Sequence, residues 1–320
     1  MTLHVVLGKG PIGTTTAAHL LAAGEDVRIV SRSGAPGRDE PATAGAHHVA
    51  ADAADTSQLV RATQDADVLY NCANPAYHRW LTDWPPVGEA LLAAAETHDA
   101  VLVTAANLYA YGPTTGPMTE TTPLSSTLPK AQVRAEMWRE AERRHAAGRL
   151  RATEVRASDY IGPRALVTSH VGERILEPLL AGRTIRPVGS ADAPHTWTYL
   201  PDLAAALVAA GRTESAWGHA WHAPSPDPRS FREVVSAFAD AARRTSAVPE
   251  PRIRPVPMWA VAAAGVAVPM MREIHKIGYQ FTEPFVMDST ASQRALGITP
   301  TTWDTIATET VGWWRTTQHA

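Results

Sequence analysis

Gly8-Lys9-Gly10-Pro11-Ile12-Gly13 follows directly on the apolar run Leu3 to Leu7 and precedes an Ala- and Leu-rich run from Thr14 to Ala23. Each glycine answers a physical demand. Gly8 turns sharply out of a strand, Gly10 lets a pyrophosphate approach the backbone, and Gly13 lets helix and strand pack closely. Pro11 suits a first helical turn, where its missing N–H costs no hydrogen bond, so Pro11 and Ile12 open a helix whose positive end aims at a phosphate. A second strand-like run, Val27 to Val30, follows the turn Gly24-Glu25-Asp26 and closes a β-α-β unit. In that context the glycines predict a dinucleotide-binding turn rather than an ordinary Gly-rich loop.

Strand-like and helix-like runs alternate through the first half, which predicts an α/β fold with a parallel sheet covered by helices. The strands are expected at Leu3 to Leu7, Val27 to Ser31, His48 to Ala51, Val68 to Asn71, Val101 to Thr104 and Thr153 to Arg156. The helices between them are expected at Pro11 to Ala23, Ser57 to Gln64, Val87 to Thr97 and Lys130 to Ala147, with Thr56 as the N-cap of the second. After Gly162-Pro163 the rhythm changes, proline becomes frequent and most tryptophans appear. Helical runs recur at Val171 to Leu180, Pro201 to Arg212, Ser230 to Arg244 and Trp303 to Arg315. The domain reading is a dinucleotide-binding domain over 1–165 that also receives roughly 196–225. A smaller C-terminal substrate-binding lobe takes 166–195 and 226–320.

The net charge of −3 and the absence of a long Lys/Arg run argue against nucleic acid as a partner. The single cysteine, Cys72, excludes an internal disulfide framework and fits a reducing compartment. The chain runs straight into its first strand with no signal peptide, so a cytoplasmic location is expected. Met258 to Met271 is too short to span a membrane and reads as a buried or surface-packed helix. The 13 histidines are scattered without metal-site spacing, and no metal is expected.

Several segments together resemble the extended short-chain dehydrogenase/reductase superfamily, the group of NAD-dependent epimerases and dehydratases. Tyr111-Gly112-Pro113 with Thr119-Glu120 and Thr122-Pro123 resembles the loop after that family's fifth strand. Val155 to Pro163 is similar to the sixth strand and its exit, and Trp197 to Ala204 to the segment closing the substrate site. Glu283-Pro284-Phe285, Asp288 and Leu296 to Pro300 resemble the C-terminal lobe. The resemblance covers nearly the whole chain and implies a Rossmann-type doubly wound parallel sheet.

In that family a Tyr, with a Lys four residues later and a Ser or Thr upstream, carries proton exchange with the substrate oxygen. The Lys holds the nicotinamide ribose and lowers the Tyr pKa. The resemblance assigns the Lys to Lys130 and the upstream hydroxyl position to Asn107. The Tyr position, however, is Ser126, whose aliphatic hydroxyl is a much poorer acid than a phenol. Two readings compete. In one, a loop phenol moves the proton, with Tyr109 preferred over Tyr111 and with Asn107 or Ser126 bonding the reacting oxygen; Tyr111 has a packing role as its alternative. In the other, redox chemistry has been lost and Lys130 anchors a ribose or is merely solvated.

At the end of the second strand the chain reads Ser31-Arg32-Ser33, and no acid occurs between Asp26 and Asp39. A carboxylate there would repel a 2′-phosphate, whereas a guanidinium and two hydroxyls bind it, so NADP(H) is favoured over NAD(H). The resemblance adds Asp52 as an adenine contact, Cys72-Ala73-Asn74 along the ribose and pyrophosphate, and Ala157 and Ser158 at the sixth-strand exit. Sugar-nucleotide members usually carry an Arg before the closing strand and an Asn at the sixth-strand exit; here these positions are His195 and Asp159. A neutral imidazole is a poor phosphate clamp and a carboxylate repels a diphosphate. Trp197, Trp217, Trp221 and Trp259 are available to line an apolar pocket instead, with core packing as the preferred reading of each one singly.

The leading expectation is an NADP(H)-dependent oxidoreductase acting on a carbonyl, alcohol or imine of a small, fairly apolar molecule. An epimerase or dehydratase with transient redox, and a non-catalytic NADP-sensing protein, are the alternatives. No membrane partner is expected, and a homodimer rests on family analogy.

Overall fold

The computed structural model describes residues 2–37, 40–165 and 169–317. Six strands alternate with helices over the first half: β1 (Leu3–Leu7), β2 (Asp26–Ser31), β3 (His47–Ala50), β4 (Val68–Asn71), β5 (Val101–Asn107) and β6 (Arg151–Ala157). Shorter strands follow at β7 (Asp159–Ile161), β8 (Pro194–His195), β9 (Trp197–Tyr199), β10 (Ala220–His222) and β11 (Arg229–Ser230). The central sheet is parallel, with order β10-β6-β5-β4-β1-β2-β3. It is the expected Rossmann-type doubly wound α/β fold.

Burial on both faces explains why the strands read as near-continuous apolar runs. Helices α2 (Thr56–Ala62), α3 (Trp80–His98) and α4 (Pro129–Ala146) cover one face, packing Leu59, Trp84, Leu91 and Trp138 onto Val5, Leu69 and Leu102. Helices α1 (Pro11–Ala22) and α6 (Leu200–Arg212) cover the other, with Leu20, Leu203 and Leu207 against Val6, Ile29 and Val103. The remaining helices are α5 (Glu173–Leu180), α7 (Phe231–Arg243), α8 (Met258–Ala264), α9 (Pro269–Lys276), α10 (Tyr279–Thr282), α11 (Thr290–Leu296) and α12 (Trp303–Thr317). A separate core, built from Ile175, Leu179, Phe238, Trp197, Ile306 and Trp314, joins α5, α7 and α12. The expected domain boundary at 165/166 abuts residues 166–168, which lie outside the described residues.

Some local expectations are corrected. Asp55, not Thr56, caps α2: its carboxylate accepts the Gln58 N–H at 3.0 Å. Helix α3 begins at Trp80, well before Val87, and runs through Pro85 and Pro86. The two prolines leave carbonyls of the exposed first turn unbonded, while burial of Trp80 and Trp84 one turn apart stabilises the extension. The expected helix at Met258 to Met271 is two short ones, because Gly265 ends α8 and Pro269 opens α9. Of the two readings, buried or surface-packed, the second holds: Val261 is 1% exposed, whereas Trp259 is 75% and Val266 82% exposed. No helix of the described residues is long and apolar enough to cross a membrane.

The strand order reverses between β1 and β4. In open parallel sheets ligands bind outside the carboxyl ends of the strands at such a point.

Candidate active site

At that switch point the glycine turn has the geometry its sequence demands. Gly8 has φ +104°, and a Cβ there would lie 2.8 Å from the Cys72 carbonyl oxygen at the end of β4. A Cβ on Gly13 would lie 2.0 Å from the Gly8 oxygen, so only glycine lets α1 pack on the turn. A Cβ on Gly10 would meet nothing within 4 Å, so the space above it is open. Gly10 is also the N-cap of α1 and Pro11 follows it, so no side chain caps the positive end of the helix.

Three buried polar atoms at the carboxyl edge have no hydrogen-bond partner among the described residues: Ser31 Oγ at the last residue of β2, Asn71 Nδ2 at the last residue of β4, and Ser158 Oγ just after β6. Orphaned buried groups are rare in folded proteins, and these three line the crevice where a dinucleotide would satisfy them. The residues present therefore fit such a cofactor.

Around this crevice the structure places the other cofactor candidates unevenly. Arg32 is exposed at the end of β2, and Ser33 Oγ accepts from Lys9 Nζ at 2.7 Å. Lys9, which the sequence reading passed over, also donates to the carbonyls of Ala35 at 3.0 Å and Pro36 at 3.1 Å. Its signal was its place between the first two glycines. Asp52 spends one carboxylate oxygen on the Ala54 N–H at 3.0 Å within its own loop. The Cys72 thiol is buried and faces Thr16 Oγ1 at 3.9 Å, and burial pushes its pKa up to about 12, so it is an inert packing thiol. Ala73 N–H is tied to Asn71 Oδ1 at 3.3 Å, while Asn74 is exposed. Ala157 ends β6 in the core, directly before Ser158.

The chemistry-bearing residues gather beside the ends of β4, β5 and β6. Lys130 Nζ, on the first turn of α4, lies 2.7 Å from Glu273 Oε2 on α9 and 3.7 Å above the ring of Tyr77. Tyr77 meets Trp80 edge-on at 4.9 Å and Tyr109 at 6.4 Å, and Tyr109 also lies 5.9 Å from Trp80. Burial, followed by the charge of Asp159, raises the Tyr109 pKa well above the ordinary phenol value. Asn107 Oδ1 accepts the Tyr109 N–H at 3.2 Å, which leaves the side-chain amide N–H groups for a ligand. Ser126 Oγ accepts the Leu128 N–H at 3.4 Å, beside Gly112, where a Cβ would come within 3.2 Å of Ser126 Cα.

Tyr111 belongs to a different assembly. It is fully buried, its oxygen accepts from Arg156 Nη1 at 2.8 Å, and its O–H lies 2.8 Å from His222 Nε2. His222 Nδ1 sits 2.6 Å from the Asp288 carbonyl, which can only accept, so Nδ1 carries the proton and Nε2 accepts from Tyr111. Burial lowers the His222 pKa and keeps the ring neutral. The Tyr111 hydroxyl is thus spent within the core network.

On the lobe side, Asp159 and His195 meet. The two positions that depart from the sugar-nucleotide pattern are 2.8 Å apart, Asp159 Oδ2 to His195 Nε2, although the N–H is out of line for a hydrogen bond. His170 Nε2 lies 3.6 Å from the other Asp159 oxygen. Burial alone would raise the Asp159 pKa, but His170 and His195 outweigh it and hold the carboxyl below its usual range. The lobe side thus presents a carboxylate faced by two imidazoles.

The tryptophans do not form one pocket wall. Trp197 is in the lobe core against His195, Trp217 and Trp221 pack beneath α6, and Trp259 points to solvent. Three of these rings pack on the two cores and the fourth, Trp259, is exposed, so the pocket reading is corrected and core packing holds for Trp197, Trp217 and Trp221.

A model of the NAD dependent epimerase/dehydratase family matches residues 5–221. The chain belongs to that family. The fold of this family member is also similar over its whole length to solved relatives. It superposes on a UDP-glucose 4-epimerase from Thermotoga maritima, solved with UDP-glucose, at TM-score 0.80 and 16% identity, covering 99% of this chain and 100% of that one. It superposes equally on a dTDP-glucose 4,6-dehydratase from Bacillus anthracis in complex with NAD, at TM-score 0.80 and 16% identity, covering 100% and 98%. A UDP-glucuronic acid 4-epimerase from Bacillus cereus in complex with NAD gives TM-score 0.77 at 16% identity, covering 98% and 96%. No curated protein matches the sequence significantly.

Proposed function

We propose that the chain is an NADP(H)-dependent oxidoreductase that reduces the carbonyl or imine of a small, uncharged molecule, or oxidises the matching alcohol. The observation that carries this reading is the cluster formed by Lys130, Tyr77 and Tyr109 beside the dinucleotide crevice. A bound nicotinamide dinucleotide supplies or accepts the hydride. The α1 N-terminus, the Gly10 backbone, Ser31, Asn71 and Ser158 hold it, and Lys130 bonds its ribose. The Asn107 amide donates to the reacting oxygen, and a phenol of the Tyr77–Tyr109 pair moves the proton. The Asp159–His195 pair disfavours a diphosphate substrate, which points to an uncharged molecule rather than a sugar nucleotide.

Lys9 strengthens the preference for NADP(H). With Arg32 it places two cations by Ser33, and their charge-assisted bonds suit a 2′-phosphate. Arg32→Ser is expected to weaken NADPH binding by about tenfold or more, the scale of one exposed charge-assisted bond, while NADH binding changes by less than about twofold. Titration of intrinsic tryptophan fluorescence with each nucleotide measures both; equal weakening of the two sinks the assignment.

The second reading is an epimerase or dehydratase in which hydride leaves and returns to one substrate. The family match favours it, since solved relatives carry those names. Net consumption of NADPH with ketones and aldehydes separates the two.

A further inference from the structure

The serine at position 126 leaves the proton-transfer step without its usual donor, and three phenols near the site have no hydrogen-bond partner for their hydroxyls among the described residues: Tyr77, Tyr109 and Tyr160. The others are engaged: Tyr70 with His4, Tyr111 with Arg156 and His222, Tyr199 with Glu309, and Tyr279 with Gln280. Lys130 distinguishes among the three, because its ammonium lies 3.7 Å over the ring of Tyr77 and has no such contact with Tyr109 or Tyr160.

We propose, on the oxidoreductase reading above, that Tyr77 has taken over as the proton donor to the substrate oxygen. The phenol expected at position 126, which lies before the start of α4, is delivered instead by the single turn Tyr77–Arg79 in the connection after β4. The lysine stays and the tyrosine comes from a different element.

The surroundings hold Tyr77 in place. Trp80 meets its ring edge-on at 4.9 Å, and Trp80 Nε1 donates to the Pro75 carbonyl at 3.0 Å, pinning the loop that carries Tyr77. The residue is half-buried. Tyr109 lies deeper: burial first, and the Asp159 carboxylate second, hold its pKa well above the phenol range, and among the described residues it has no ammonium on its ring to offset them as Lys130 offsets Glu273 at Tyr77. In the reductive step hydride adds to the carbonyl carbon from the reduced dinucleotide. The C=O π pair moves onto oxygen, a new O–H bond forms to that oxygen, and the Tyr77 O–H bond breaks. The phenolate, beside the Lys130 ammonium, then recovers a proton from water. Burial, with the Glu273 carboxylate as the next cause, pushes the Tyr77 pKa up to about 12, so the hydroxyl carries its proton at neutral pH, as a donor must.

The test uses the full chain with NADPH and a panel of benzaldehyde, acetophenone and cyclohexanone. General acids contribute about 10²–10⁴-fold, so Tyr77→Phe is expected to lower single-turnover reduction by about 10²–10³-fold. Its NADPH affinity, read by tryptophan fluorescence, should stay within about twofold of wild type. Tyr109→Phe should cost less than about tenfold, through packing alone. A readout independent of turnover comes from the apo protein labelled with ¹³C at the tyrosine ring carbon bearing oxygen: Lys130→Met shifts the Tyr77 titration upward, and that resonance is missing in Tyr77→Phe. Wild-type turnover unchanged by Tyr77→Phe, or an unmoved Tyr77 titration in Lys130→Met, overturns this proposal alone. NADPH binding with no turnover of any carbonyl overturns the oxidoreductase reading and this proposal with it.

Discussion

Replacing Arg156 with alanine is expected to destabilise the protein by about 3–5 kcal/mol, the cost of breaking a buried ion pair by removing one partner. Arg156 is 3% exposed, donates from Nε to Glu154 Oε1 at 2.8 Å, and donates from Nη1 to the Tyr111 oxygen at 2.8 Å. Without it Glu154, itself 4% exposed, loses the cation that faces it, and the Tyr111–His222–Asp288 chain loses its first donor. This network ties β6 to β10 and to the segment before α11, so its loss loosens the sheet edge and the lobe together. Tyr111→Phe removes one hydroxyl, leaves the Arg156–Glu154 pair intact, and should cost only about 1–3 kcal/mol. Urea unfolding followed by circular dichroism measures both. Comparable small losses for the two variants would mean that the charge pair is not what holds this edge.

Gly13→Ala is expected to abolish measurable NADPH binding, a loss of at least about 100-fold or roughly 2.7 kcal/mol. The new Cβ would stand 2.0 Å from the Gly8 oxygen and 3.4 Å from Cys72 Cβ, and the oxygen belongs to backbone that Val30 and Cys72 already fix. Helix α1 must therefore move off the turn, with loss of stability as well as binding. Gly10→Ala is the informative partner. Nothing lies within 4 Å of its Cβ, so the thermal midpoint should barely change while NADPH affinity falls, because the methyl occupies the space a pyrophosphate needs. Thermal melts beside fluorescence titration separate the two variants. Equal affinity for NADPH in Gly10→Ala and wild type would show that the dinucleotide does not pass over this turn.

How much of this could be read in the sequence depended on how local each cause is. The glycine turn was legible because strand exit, helix start and close packing are all decided within a few residues of Gly8 and Gly13. The parallel sheet was legible because strands buried on both faces leave continuous apolar runs such as Val68 to Asn71. The start of α3 was not, since it rests on Trp80 and Trp84 being buried against a sheet that local propensity around Pro85 and Pro86 does not know about. The same limit governed the site. Lys130 and Asn107 could be placed by position along the chain, and Tyr111 could be weighed as a packing residue. Tyr77 and Glu273 could not be found, because they come to Lys130 from 53 positions before and 143 positions after it in the chain. Asp159 and His195 were each noticed singly, but only the fold places them in contact.

The central claim is that this family member has kept the dinucleotide site and still moves hydride although Ser126 stands where a tyrosine is usual. The most direct measurement is NADPH consumption by the purified protein with small ketones and aldehydes, followed by the loss of reduced-nicotinamide absorbance. The account predicts steady net oxidation of NADPH that Lys130→Met and Tyr77→Phe each reduce by about 10²-fold or more. Tight NADPH binding with no oxidation of it, in wild type and both variants alike, would contradict the account.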